Sequence, residues 1–145
     1  MIEKRDQERI LFVVAQIGHV KQAQALAHHL GFKSISMAIL YTRKNLVMPR
    51  MMEADIDVSF VRNIRKVEIH PASNDLSAKA ANFDAIAYRK LLDELKPSKL
   101  FVCSFERHYA ILCREAKARG IRIALFEEGT AIFKVTVPGY QSFQK

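Results

Sequence analysis

Two adjacent carboxylates, Glu127 and Glu128, follow the apolar run Ile121-Arg122-Ile123-Ala124-Leu125-Phe126 and precede Gly129 and Thr130. A short apolar run with β-branched residues reads as a buried parallel strand. The carboxyl ends of such strands are where open α/β sheets hold their ligands. In an extended segment, neighbouring side chains point to opposite sides. One carboxylate can therefore face a cleft while the other pairs with a neighbour or caps a turn. A lone carboxylate in a partly desolvated cleft has a raised pKa and can accept a proton from a hydroxyl. Gly129 lets the backbone turn sharply and lets a ligand approach. The plain alternative is an acidic turn after an edge strand.

His19 follows Gly18 at the start of a helical segment. A neutral imidazole there could act as a general base, since its ordinary pKa lies near neutrality. A helix N-terminus disfavours the imidazolium, and its free N–H groups could hold a phosphate or carboxylate. GxGxxG is absent, so a dinucleotide fingerprint is not supported. His28 and His29 lie mid-helix and read as surface or packing residues.

A third polar group follows another apolar run, Leu100 to Cys103. It comprises Ser104, Glu106, Arg107 and His108. Ser104 reads as an N-cap and Glu106 as a favourable charge at the next helix start. Ser104, Arg107 and His108 are candidate substrate contacts. G-x-S-x-G is missing, so no nucleophilic serine is indicated.

The elements that must position these groups alternate between strand and helix. Ile10–Ala15 is a continuous apolar run and the first strand. Val20–Leu30 places Ala23, Leu26, Ala27 and Leu30 on one helical face, and Gly31 stops it. Ile35–Tyr41 is the second strand. Thr42–Glu53 reads as a loop with a short helix interrupted by Pro49. Val58–Val61 is a short third strand, followed by irregular chain with a possible strand at Val67–Ile69. Leu76–Leu95 is the longest helical pattern and ends at Pro97. Leu100–Cys103 is the fourth strand, Tyr109–Arg119 a helix closed by Gly120, and Ile121–Phe126 the fifth strand. This pattern predicts one α/β domain over 1–145, a Rossmann-like parallel sheet of about five to six strands with helices on both faces. The loops after strands one, four and five then share one edge.

Composition narrows the partners. Half of the 145 residues are hydrophobic, enough for a core, and no apolar run reaches the length of a membrane span. The charged N-terminus lacks the features of a signal peptide. Cys103 and Cys113 read as structural thiols in a reducing cytoplasm. The net charge of +8 favours an anionic membrane surface, nucleic acid or acidic glycan. Nucleic acid is disfavoured, because the sequence has no arginine-rich block, zinc spacing or aromatic RNA-binding signature.

Gly18-His19-Val20 with Leu26-Ala27 and Leu30 resembles the first βα unit of GT-B glycosyltransferases. Phe126-Glu127-Glu128-Gly129-Thr130 is similar to the D/E-D/E-G motif of bacterial sialyltransferases, including the capsular polysialyltransferases. That resemblance implies an N-terminal, acceptor-side half of a GT-B enzyme. It implies a carboxylate, Glu127 or Glu128, as the base that deprotonates an acceptor hydroxyl. Gly129 and Thr130 belong to the same substrate-binding stretch, with Gly18. The donor implied is CMP-sialic acid, bound largely by a C-terminal domain that does not follow residue 145, so the isolated chain is expected to lack turnover. The family's donor-binding His-Pro motif comes after the acidic motif. His70-Pro71 precedes it here and reads as a loop.

The expected partners are a sugar acceptor, an anionic glycan among them, and a nucleotide-sugar donor. No cofactor is expected, and no His/Cys cluster calls for a metal. The expected location is cytoplasmic and peripheral to the inner membrane. Two alternatives stand beside this reading. One is a nucleotide-sugar glycosyltransferase half with His19 as base. The other is a non-catalytic Rossmann-like binding domain in which the acidic pair is only a turn.

Overall fold

The structure, a computed structural model, describes residues 8–72, 77–105 and 107–126, and the backbone of 133–135. Strands β1 (Ile10–Val14), β2 (Ile35–Tyr41), β3 (Val61–Glu68), β4 (Lys99–Val102), β5 (Arg122–Phe126) and β6 (Phe133–Val135) form one sheet. Its order is β3-β2-β1-β4-β5-β6. The first five strands in that order are mutually parallel, and β6 runs antiparallel to β5. The Rossmann-like expectation therefore holds, with an antiparallel edge strand added.

The four helices are α1 (Ile17–His29), α2 (Val47–Ala54), α3 (Ala78–Leu95) and α4 (His108–Ala118). Alternation along the central strands sends successive side chains to opposite faces. Ile10, Phe12 and Val14 join Met37, Ile39 and Phe101 under α1 and α2, with Val20, Ala23, Leu26 and Met52 packed on them. Leu11 and Val13 join Ala38, Leu40, Leu100 and Leu125 under α3 and α4, with Tyr88, Leu92, Ile111 and Leu112 above. Both faces are covered, which is why β1 is buried along its whole length. Phe12 stacks on Phe101 at 4.3 Å between ring centroids and meets Phe126 edge-on at 5.5 Å.

Two segments differ from expectation. The third strand is Val61–Glu68, longer and later than Val58–Val61, and the irregular stretch from Asn63 is largely strand. As the edge of the sheet it pairs only with β2, so Arg62, Asn63 and Lys66 stay exposed and no apolar run marks it. Residues just before it form a turn, in which Asp57 Oδ1 accepts from the Ser59 N–H and hydroxyl. Pro49 does not interrupt α2. It is the third residue of the helix, in a turn whose N–H groups have no intrahelical acceptor. Asn45 Oδ1 caps that turn by accepting from the N–H groups of Val47 and Met48.

The order reverses between β1 and β4. The chain leaves β1 toward α1 on one face, and leaves β4 toward α4 on the other. Such a switch opens a crevice at the carboxyl ends of the two strands.

Candidate active site

His19 sits in this crevice. The chain turns out of β1 through Ala15 and Gln16, and the His19 N–H closes the first turn of α1 on the Gln16 carbonyl at 3.0 Å. Gly18 occupies the same turn, half-buried. The imidazole is 8% exposed. Its Nδ1 accepts from the Ala15 N–H at 3.4 Å and lies 3.2 Å from Cys103 Sγ, at the end of β4. Its ring meets Phe126, the last residue of β5, edge-on at 6.3 Å. The ends of three strands thus converge on one histidine.

The ring geometry has a chemical consequence. A backbone N–H can only donate, so Nδ1 is the accepting nitrogen and the neutral ring carries its proton on Nε2. The hydrogen-bond donor of His19 is therefore Nε2.

The loop after β4 divides between two surroundings. Ser104 is half-buried just beyond Cys103, and Arg107 is exposed. The N-cap position of α4 belongs to Arg107 and not to Ser104, and the Arg107 side chain makes no cap hydrogen bond. Arg107 has φ 55° and ψ −131°, a conformation that favours glycine. His108 points the other way, into the core under α3. It is 8% exposed, with Nδ1 2.8 Å from the Tyr88 hydroxyl. Burial lowers its pKa, opposed by Asp84 and assisted by Arg107. Burial likewise raises the pKa of Tyr88 well above its usual value.

Tyr109 lies beside His108, with ring centroids 4.3 Å apart. Its hydroxyl is buried and, among the described residues, forms no hydrogen bond of good geometry. Burial raises its pKa, and the neighbouring Cys103 adds to the rise. Asp84, fully buried in α3, accepts from the His70 N–H at 2.8 Å and so anchors the His70-Pro71 loop after β3. His70 and Pro71 thus stand in a loop, as expected from the sequence.

Glu127, Glu128, Gly129 and Thr130 lie outside the described residues. The described chain reaches Phe126, immediately before Glu127, in ring contact with His19. His28 and His29 are exposed on α1, and His28 stacks on Phe60 at 3.9 Å. One Asp-x-Asp string does occur, Asp55-Ile56-Asp57, but it leads into the amino end of β3, and Asp57 is engaged by Ser59. Hydrogen bonds from Ser59 hold the Asp57 pKa below its usual value. Among the described residues, no three His, Cys, Asp or Glu side chains converge as metal ligands would.

Sequence reasoning passed over Cys103 as a site member. Its position at the carboxyl end of an apolar run, on the same edge as His19, was the available signal. Neither cysteine is in a disulfide. Cys113 fits a structural role: burial pushes its thiol up to about 12.

The parallel order and the reversal between β1 and β4 define a Rossmann-like domain, with the cluster of His19, Cys103 and Phe126 at its switch point. Among solved structures it is similar to a putative UDP-N-acetylglucosamine 2-epimerase from Listeria monocytogenes, with TM-score 0.52 and 8% identity over 79% of this chain and 30% of that one. It is similar to TcCGT1 in complex with UDP, with TM-score 0.50 and 14% identity over 83% of this chain and 28% of that one. The C-terminal domain of the PF1911 hydrogenase from Pyrococcus furiosus gives TM-score 0.54 and 14% identity over 85% and 94%. At these identities the likeness is one of fold. The chain spans about a third of the length of the first two. No curated protein matches it in sequence. A family model for alpha-2,8-polysialyltransferases matches residues 10–143. The chain belongs to that family, and is a Rossmann-like glycosyltransferase domain related to polysialyltransferases.

Proposed function

We propose that this domain holds the acceptor in sialyl transfer, with the acceptor hydroxyl at the carboxyl edge of the sheet and Glu127 or Glu128 as its base. The observation that carries this reading is the convergence of His19, Cys103 and Phe126 at the switch point, in a chain whose family transfers sialic acid. The acidic pair follows Phe126 directly.

In the proposed reaction the carboxylate removes the hydroxyl proton as the oxygen attacks the anomeric carbon of CMP-sialic acid. A new glycosidic C–O bond forms. The bond from that carbon to the phosphate oxygen breaks, and CMP leaves with the electron pair. The acceptor is a sugar, and the positive charge of the chain suits an oligosialic one. TcCGT1 was solved with UDP, which supports a nucleotide-linked donor for this fold. Most of the donor site is assigned to a C-terminal domain beyond residue 145, making this chain the N-terminal half of the enzyme. His19, donating from Nε2, orients a substrate oxygen. With Nδ1 turned to Ala15 and Cys103, it is poorly arranged to be the base.

Titrating the domain with a short oligosialic acid, observed by NMR, tests the acceptor assignment. Shifts should concentrate on His19, Cys103, Ser104, Arg107 and the residues after Phe126. Shifts confined to the opposite edge, around Arg9, Ser34 and Arg62, would exclude an acceptor in the crevice.

A further inference from the structure

Five large apolar side chains are exposed among the described residues, and three of them lie within six positions: Leu46 at 59%, Val47 at 63% and Met51 at 50%. Val47, Arg50, Met51 and Ala54 recur at helical spacing and form the outward stripe of α2. The inward side of the same short helix buries Pro49 and Met52. The helix therefore buries one apolar side and exposes Val47 and Met51 on the other, with Arg50 between them.

The rim of the patch is basic. Arg43, Lys44 and Arg50 are exposed around it. Two nearby glutamates are engaged: Glu68 pairs with Arg43 at 3.0 Å, and Glu53 with Lys66 at 3.2 Å. Among the described residues neither Lys44 nor Arg50 has an ion pair. A protein partner needs roughly 800 Å² per side with charge depleted at the centre. Three apolar side chains ringed and interrupted by long cations are a poor match to that. They match an anionic bilayer well. There Leu, Val and Met enter the acyl boundary while Lys and Arg extend to the headgroups.

We infer that Leu46, Val47 and Met51, with Lys44 and Arg50, form a docking surface for an anionic lipid membrane. The patch lies on the face covered by α1 and α2, and the loop leading into it leaves the carboxyl end of β2. Docking through it would hold the crevice edge near the lipid surface. This inference does not depend on the acidic pair being the base.

Co-sedimentation of the full chain with vesicles tests it. The chain should bind phosphatidylglycerol/phosphatidylethanolamine vesicles, bind phosphatidylcholine vesicles far less, and release as salt rises. Combined Leu46→Ser, Val47→Ser and Met51→Ser should weaken binding on the order of tenfold or more. Lys44→Gln with Arg50→Gln should weaken it about 25-fold, at about fivefold per cation. The control Val58→Ser with Ile86→Ser, exposed apolar residues elsewhere, should bind as the parent does. Absence of binding by the parent, or equal loss in the control, overturns the inference. So does a parent dimer that the serine variant dissociates without any vesicle binding, which would make the patch a contact between copies of this chain.

Discussion

Cys103 Sγ lies 3.2 Å from His19 Nδ1, joining the end of β4 to the start of α1 across the reversal in strand order. The two residues are 84 positions apart. With the Ala15 N–H on the same nitrogen, the contact sets which face of the imidazole is available for chemistry. The first expected outcome is spectroscopic: ¹⁵N NMR of the neutral protein should show His19 as the Nε2–H tautomer. Cys103→Ser and Cys103→Ala should both keep that tautomer, since the Ala15 N–H still donates to Nδ1. A dominant Nδ1–H form in the parent would reopen the case for His19 as base.

Two buried tyrosines should respond oppositely to loss of their hydroxyls. Tyr88 bonds His108 at 2.8 Å, so Tyr88→Phe strands a buried nitrogen and should cost about 1–3 kcal/mol in urea unfolding. The Tyr109 hydroxyl has no well-formed bond among the described residues. Tyr109→Phe should leave stability within about 0.5 kcal/mol or raise it. Equal losses would mean that the two hydroxyls are equally well satisfied.

Burial lowers the pKa of His108, and this fixes the sign of a pH effect. The unfolded chain then binds the proton more readily than the folded one. Its contribution is fully present above the unfolded value of about 6.5 and is lost as pH falls from there toward the folded pKa. Unfolding free energies measured from pH 7 to pH 5 should fall less steeply in His108→Gln than in the parent. The difference is at most about 1.4 kcal/mol per pH unit, the limit for one proton. Parallel curves would place His108 in contact with solvent.

Arg107 holds a glycine-like backbone at the mouth of the crevice. Arg107→Gly should relieve strain and stabilise the fold by about 1 kcal/mol, after the added unfolded-state entropy of glycine is offset. If the guanidinium also meets the acceptor, the same variant loses affinity for an oligosialic ligand. Thermal unfolding and ligand titration of one sample separate the two effects. Destabilisation would show that the conformation carries no strain.

Much of the scaffold was legible because parallel strands buried on both faces read as unbroken apolar runs. Ile10–Val14, Ile35–Tyr41 and Arg122–Phe126 are of this kind. Gly31 and Gly120 stop helices in the left-handed region, at φ 82° and 73°. The edge strand β3 was obscured because it has one neighbour and keeps charged side chains. Pro49 misled because a helix interior was assumed where it stands in a first turn. The site was only half legible. Gly18-His19 announces itself by type and position, whereas Cys103, Tyr88 and Asp84 matter through partners distant in sequence. Ser104 looked like a cap because the helix start was placed without knowing the backbone of Arg107.

The central claim is that a carboxylate after Phe126 takes the proton of the acceptor hydroxyl. The most direct measurement is kcat of the native protein with CMP-sialic acid and an oligosialic acceptor, compared among the single variants Glu127→Gln, Glu128→Gln and His19→Asn. One glutamine variant should lose roughly a hundredfold or more in kcat, the low end of a general base's contribution, while keeping its acceptor affinity. His19→Asn, which removes only an orienting donor, should lose less. If both glutamine variants turn over at the parent rate and His19→Asn does not, the base is His19 and the account is wrong.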